Sequence, residues 1–116
     1  MPRDPDDLIR VWCRESSYTP HEWTPLNPAW GQCAATALAV KELRGGHIVR
    51  CRAELPDGRV IPHYFNILPD GREYDLTLRQ FPSGTVLTPT KRRTPVGYTT
   101  KQRRDILLDA LYDLTD

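Results

Sequence analysis

No stretch of this sequence is apolar for long enough to cross a bilayer, which takes roughly 18 residues. The opening Met1-Pro2-Arg3-Asp4-Pro5-Asp6-Asp7 lacks the apolar core of a secretory signal. Charge of one sign is scarce as well: 16 basic against 15 acidic side chains leave a net charge of +1. That balance argues against nucleic acid as a partner, since such affinity rests on neutralising phosphates. Cysteine is sparse, with Cys13, Cys33 and Cys51 widely spaced and no C-x-x-C pair. Such a set reads as reduced thiols in a cytoplasmic protein. His21, His47 and His63 are scattered too, and without a paired-ligand motif neither a metal nor another cofactor is expected.

What remains is a chain that folds. Its 116 residues suit one domain spanning 1–116, and 39% hydrophobic with 27% charged residues marks a globular composition. The 11 prolines outnumber the 7 glycines, which implies stiff turns and short elements. A first helix is predicted after Asp4, a good N-cap, with Pro5 at its first position and Leu8, Val11 and Trp12 as its apolar stripe. From about Ser16 to Gln32 no periodicity is visible, so this stretch is a functional loop or hides an element. Cys33 to Leu43 is alanine-rich and strongly helix-forming, stopped by Gly45-Gly46.

Alternation then signals strands at residues 47–55, 60–68 and 72–77, joined by turns at Pro56-Asp57-Gly58 and Pro69-Asp70-Gly71. Residues 79–98 read as a Pro/Thr-rich loop with a short strand at Thr85-Val86-Leu87. A final helix follows, with Thr99 and Gln102 in a capping-box pattern and Ile106, Leu107, Ala110, Leu111 and Leu114 as its buried stripe. The order gives an α+β fold, helices packed on an antiparallel sheet.

The chemistry points to Cys33. It opens a helix directly after a glycine-containing loop, where free backbone N–H groups and the helix dipole favour a thiolate and can receive an oxyanion. The alternative is a small buried residue, the commonest state of a free cysteine. Cys13 and Cys51 look like packing residues. A thiol nucleophile needs a base, and the base an orienting group. His63 on the second strand is the candidate base, and Asp75, between Tyr74 and Leu76, is a carboxylate in need of a partner. A tight turn at Asp70-Gly71 would set Asn66, not His63, opposite Asp75. The triad therefore needs a longer loop, a bulge or a diagonal contact, and Asn66 is the rival orienter.

One ordered string carries a resemblance. Asn27-Pro28-Ala29-Trp30-Gly31-Gln32-Cys33-Ala34-Ala35-Thr36-Ala37-Leu38, then Gly45-Gly46, His63-Tyr64-Phe65-Asn66, Asp70-Gly71-Arg72-Glu73-Tyr74-Asp75-Leu76-Thr77 and Gln80-Phe81, resembles the YunG-like family of small bacterial proteins. More loosely, it resembles papain-like and transglutaminase-like thiol enzymes. The resemblance implies a papain-like (cysteine-proteinase-like) fold, a central helix on an antiparallel sheet with N- and C-terminal helices. It matches Cys33 to the nucleophile, His63 to the acid and base, and Asp75 to the orienting residue. Where papain-like enzymes carry an oxyanion-binding glutamine this chain has Asn27, while Gln32 precedes the cysteine. Gln32, Asn27, Trp30 and Asn66 are thus the candidates for oxyanion or substrate binding.

The expected activity is thiol-dependent acyl transfer on a small-molecule or peptide amide or thioester: hydrolysis, deamidation or amide formation through a thioester. The other reading is a non-catalytic module. Between Asp75 and Asp105 there is no acidic residue, yet Arg79, Lys91, Arg92, Arg93, Lys101, Arg103 and Arg104 fall there. This basic C-terminal third is either a solvated face or a dock for an acidic protein partner.

Overall fold

The structure, a computed structural model, describes residues 3–115. Asp4 caps the N-terminal segment as expected, accepting a 2.9 Å hydrogen bond from the Asp6 backbone. The segment is not an α-helix, however. Pro5–Arg10 forms a 3-10 helix and Arg14–Ser16 a second short one. The chain is pinned between them, because the Trp12 indole donates to Thr36 Oγ1 at 3.0 Å and the Ser16 hydroxyl accepts from Cys13 N at 3.1 Å. Leu8 is still buried within the first of these helices, and Trp12 is buried in the connection that follows it.

The long stretch before Cys33 is a loop of successive turns, with one isolated bridge between Thr24 and Asn27. Helix α1 (Cys33–Arg44) follows and ends at Gly45. Its small residues let it pack closely on both sides. Ala35, Ala39 and Val40 meet Leu107, Leu108 and Leu111 of the C-terminal helix, whereas Ala37 and Leu38 meet Ile48 and Tyr64 of the sheet. A helix covered on two sides is apolar nearly all round, as the alanine run indicates.

Strands β1 (His47–Glu54), β2 (Val60–Ile67), β3 (Glu73–Tyr74) and β4 (Val86–Arg92) form one antiparallel sheet in the order β3-β2-β1-β4. The pentapeptide Leu-Pro-Asp-Gly-Arg occurs twice, at 55–59 and 68–72, and builds the same hairpin turn both times. Leu55 N donates to Arg59 O at 2.8 Å and Leu68 N to Arg72 O at 2.9 Å. Each aspartate accepts from the arginine two residues on, and each glycine takes a positive φ, 90° and 88°, that an L side chain resists. These are three-residue loops with a glycine bulge, so the two-residue register assumed from Asp70-Gly71 is one residue out.

Three further expectations are corrected. The third strand, expected over 72–77, pairs only at Glu73–Tyr74, and the chain leaves the ladder at Asp75. The short strand expected at Thr85–Leu87 extends to Arg92 and pairs with β1 at the sheet edge, with a bulge opposite Arg50 and Cys51. Pro89 disguised it: proline has no ladder N–H and belongs on an edge. Helix α2 spans Tyr98–Thr115, so Thr99 lies inside it rather than capping it. Its buried residues are Leu107, Leu108 and Leu111, while Ile106 is 37% and Leu114 41% exposed. The apolar stripe is turned by one residue from the expected one.

The candidate thiol site

Gly31 sets up the entry to α1. Its φ of 76° belongs to the left-handed region, and a Cβ there would collide with Ser17 Oγ. Ser17 in turn donates to the Trp30 carbonyl at 2.8 Å, and Tyr18 N donates to Gly31 O at 2.8 Å. The loop is thus strapped to its own start, delivering Cys33 half-buried at the first position of α1. The first N–H groups of such a helix have no carbonyl partner within it.

His63 sits mid-strand in β2, opposite Cys51 in β1, and is fully buried. Phe81 meets its ring edge-on, with centroids 5.0 Å apart and planes at 79°. The ring's Nε2 and Asp75 Oδ2 share a 2.7 Å hydrogen bond. Burial works against the charged ring, but the Asp75 hydrogen bond and the coupling to Cys33 outweigh it and raise its pKa to about 9. With Nε2 committed to Asp75, Nδ1 is left as a buried ring nitrogen without a hydrogen-bond partner. The same cluster reaches Cys51, whose thiol is pushed up to about 11 by burial and by the charges of Asp75, Glu73 and Cys33.

Of the other expected residues, Trp30 lines a cavity with Cys33, and its indole donates to Glu22 at 3.2 Å. Asn27 donates to the Gln80 carbonyl at 2.9 Å. Gln32 is buried and its amide donates to the Cys13 carbonyl at 2.8 Å. Asn66 is buried and donates to the Ala37 carbonyl at 2.9 Å, tying β2 to α1. Asn27, Gln32 and Asn66 thus spend these bonds on backbone carbonyls. His21 is exposed on the loop.

The cavity beside Cys33 measures about 270 Å³. Tyr18, Trp30, Ile61, Pro62 and Tyr64 supply much of its wall, and Gln80 and Arg103 supply polar groups the sequence reading did not single out. Gln80 is 3% exposed; its Oε1 accepts from Gly31 N at 3.2 Å, and its Nε2 has no hydrogen-bond partner. Its place in the string beside Phe81 was the available signal. Arg103 passed as one more charge on a helix face. Among the described residues, no group of His, Cys, Asp or Glu converges as a metal site, and no helix is long and apolar enough to cross a membrane.

A stretch of 74 residues, 64% of this chain, is 36% identical to a Bacillus subtilis (strain 168) protein described as "Uncharacterized protein YunG". The match spans 56% of that relative's length. No solved structure matches the chain. A family model described as "YunG protein" covers residues 5–113, and the chain belongs to the YunG family.

Proposed function

We propose that the chain is a thiol-dependent acyl-transfer enzyme with a papain-like arrangement of Cys33, His63 and Asp75. The observation that carries the reading is the buried 2.7 Å hydrogen bond between His63 Nε2 and Asp75, with the ring coupled to a cysteine that opens a helix. Nothing in packing alone calls for a fully buried histidine tied to a carboxylate at that point of a strand. In the proposed reaction the Cys33 sulfur attacks the carbonyl carbon of an amide or ester, and its proton resides on His63. Collapse of the tetrahedral intermediate breaks the bond to the leaving group, which takes the proton from His63. The resulting thioester passes its acyl group to water or to an amine, so hydrolysis, deamidation and amide formation share the first half. Asp75 fixes the ring tautomer and stabilises the imidazolium. The first-turn N–H groups of α1 and Gln80 Nε2, a buried donor without a partner on a side chain that lines the cavity, are the groups proposed to meet the oxyanion.

Intact-mass analysis after incubation with p-nitrophenyl acetate tests this. The expected result is one acetyl group on Cys33, absent from Cys33→Ala and formed more slowly by His63→Ala. Acetylation elsewhere, or a rate indifferent to His63, would remove the proposal.

A second reading, a non-catalytic module for an acidic partner, is supported by Lys91, Arg92 and Arg93, all exposed along or just after edge strand β4. Of the other cations in this third of the chain, Arg103 lines the cavity and Arg104 pairs with Asp105 at 2.9 Å. Salt-sensitive binding to poly-glutamate, lost on neutralising these three residues, would favour it.

A further inference from the structure

The cavity beside Cys33 holds a cation whose position the fold alone does not explain. Arg103 lies in α2, and its guanidinium sits 5.3 Å from the centre of the Tyr18 ring, with Nη2 donating to Thr100 Oγ1 at 2.9 Å. Its Nε is buried and has no hydrogen-bond partner. Among the described residues no carboxylate pairs with it. Glu22, the carboxylate on the cavity wall, is engaged by Arg59 at 3.5 Å and by the Trp30 indole at 3.2 Å. Burial works against the Arg103 charge, and Tyr18 and Cys33 are the neighbours whose charges would support it. A half-buried guanidinium that no carboxylate neutralises, on a side chain lining a cavity with aromatic walls, is arranged to receive an anion.

We infer that this cavity binds the carboxylate of an acyl substrate through Arg103, so that the substrate class is a compact amide or ester carrying a carboxylate close to the carbonyl that Cys33 attacks. The aromatic walls would cover the carbon skeleton, and the guanidinium would fix which end faces the thiol. A neutral amide of the same size gains only the apolar contact. This rests on the acyl-transfer reading for the reaction, but the binding claim needs only a reactive Cys33 and can fail separately.

Alkylation of Cys33 by iodoacetate and by iodoacetamide tests it, because the two reagents differ chiefly in carrying a carboxylate or a neutral amide. In both, the sulfur displaces iodide and no acyl group is involved. Arg103→Gln should lower the iodoacetate-to-iodoacetamide rate ratio by about tenfold, the worth of one charge-assisted hydrogen bond. Taking the ratio cancels any change in thiolate content. Arg103→Lys should retain part of the preference, since it keeps the charge and loses the fork. With the unmodified protein at constant ionic strength, acetate should slow iodoacetamide labelling of Cys33 saturably, and acetamide should not. If both alkylation rates fall together in Arg103→Gln, Arg103 serves the thiol and not a substrate anion, and the inference is overturned. Absence of acetate protection overturns it equally, even where the variant does not fold. An acetyl-enzyme formed from p-nitrophenyl acetate alongside an unchanged ratio would sink this inference and leave the acyl-transfer reading intact.

Discussion

Asp75 meets His63 on a diagonal of the β2–β3 hairpin. Continuing the observed register, in which Asn66 faces Tyr74, would set Phe65 opposite Asp75 and His63 two residues further along on the same face. The Pro69-Asp70-Gly71 loop produces this offset by adding one residue to the turn. A two-residue turn would have brought Asn66 opposite Asp75 and moved the carboxylate to the other face. Because β3 ends at Tyr74, Asp75 is released from the ladder and can lean the short distance to the ring. The turn chemistry of a surface loop therefore sets the geometry of a buried hydrogen bond.

That bond makes His63 a pH-dependent contributor to stability. Its pKa rises from 6.5 to about 9 on folding, so the folded state holds the proton more tightly than the unfolded chain. The stabilisation is full below about pH 6.5 and is lost as pH rises through about 9, a contribution on the order of 3 kcal/mol shared with the Cys33 coupling. Thermal unfolding of the protein should show a midpoint that falls across this window. In Asp75→Asn the fall should shrink, and the His63 ring followed by NMR should titrate at lower pH. A ring that titrates unchanged in that variant would contradict the assignment.

The three thiols should differ in rate. Cys33 should alkylate first in the folded protein. Cys51 is 2% exposed and its thiol is pushed up to about 11, so it should stay silent until unfolding. Cys13 is half-buried with its sulfur 3.4 Å from the Ser16 hydroxyl and opens no α-helix, so it should react more slowly than Cys33. Peptide mapping after brief iodoacetamide treatment reads the order directly. Equal labelling of all three would count against a specialised Cys33.

His63→Ala should slow both alkylation of Cys33 near neutral pH and acyl transfer. Asp75→Asn should fold and bind but turn over more slowly, because an amide can hold the ring without stabilising its charge equally. The effects should be strongly non-additive, since losing one member disables the others. Asn66 makes the contrast. Its amide is spent on the Ala37 carbonyl, so Asn66→Ala should lower stability by about 1–3 kcal/mol through the lost tie between β2 and α1 and the space the side chain vacates, and leave Cys33 reactivity near its original value. Were Asp75→Asn to behave like Asn66→Ala, Asp75 would belong to the scaffold.

Local signals carried the start and stop of α1, both hairpins and the α+β class, because glycine, proline and alanine act within a turn or two of themselves. They failed where tertiary contacts arbitrate. Edge strand β4 was hidden by Pro89, which is tolerated because its strand lies at the sheet edge. The α2 stripe could not separate Leu108, 6% exposed, from Ile106, because both fit a helical period until α1 fixes the rotation. Cys33, His63 and Asp75 were legible as residue types out of place in their elements. Gln80 and Arg103 were not, since a glutamine in a loop and an arginine on a helix become informative only when their N–H groups are found buried without partners.

Gln80 offers a test that separates positioning from oxyanion binding. Its Oε1 holds the Gly31 N–H that shapes the entry to Cys33, while its Nε2 is a buried donor without a partner on a side chain that lines the cavity. Gln80→Glu keeps the acceptor and removes the donor. Acyl transfer passes through a tetrahedral oxyanion, whereas displacement of iodide from iodoacetamide does not. The iodoacetamide rate therefore reports any effect of the new charge on the thiol itself. After division by that rate, acetylation of Cys33 by p-nitrophenyl acetate should fall by about 10²-fold in Gln80→Glu, the usual cost of one lost oxyanion donor. If the two rates instead fall in step, Gln80 is a strut for Gly31 and the oxyanion is met by the first turn of α1 alone.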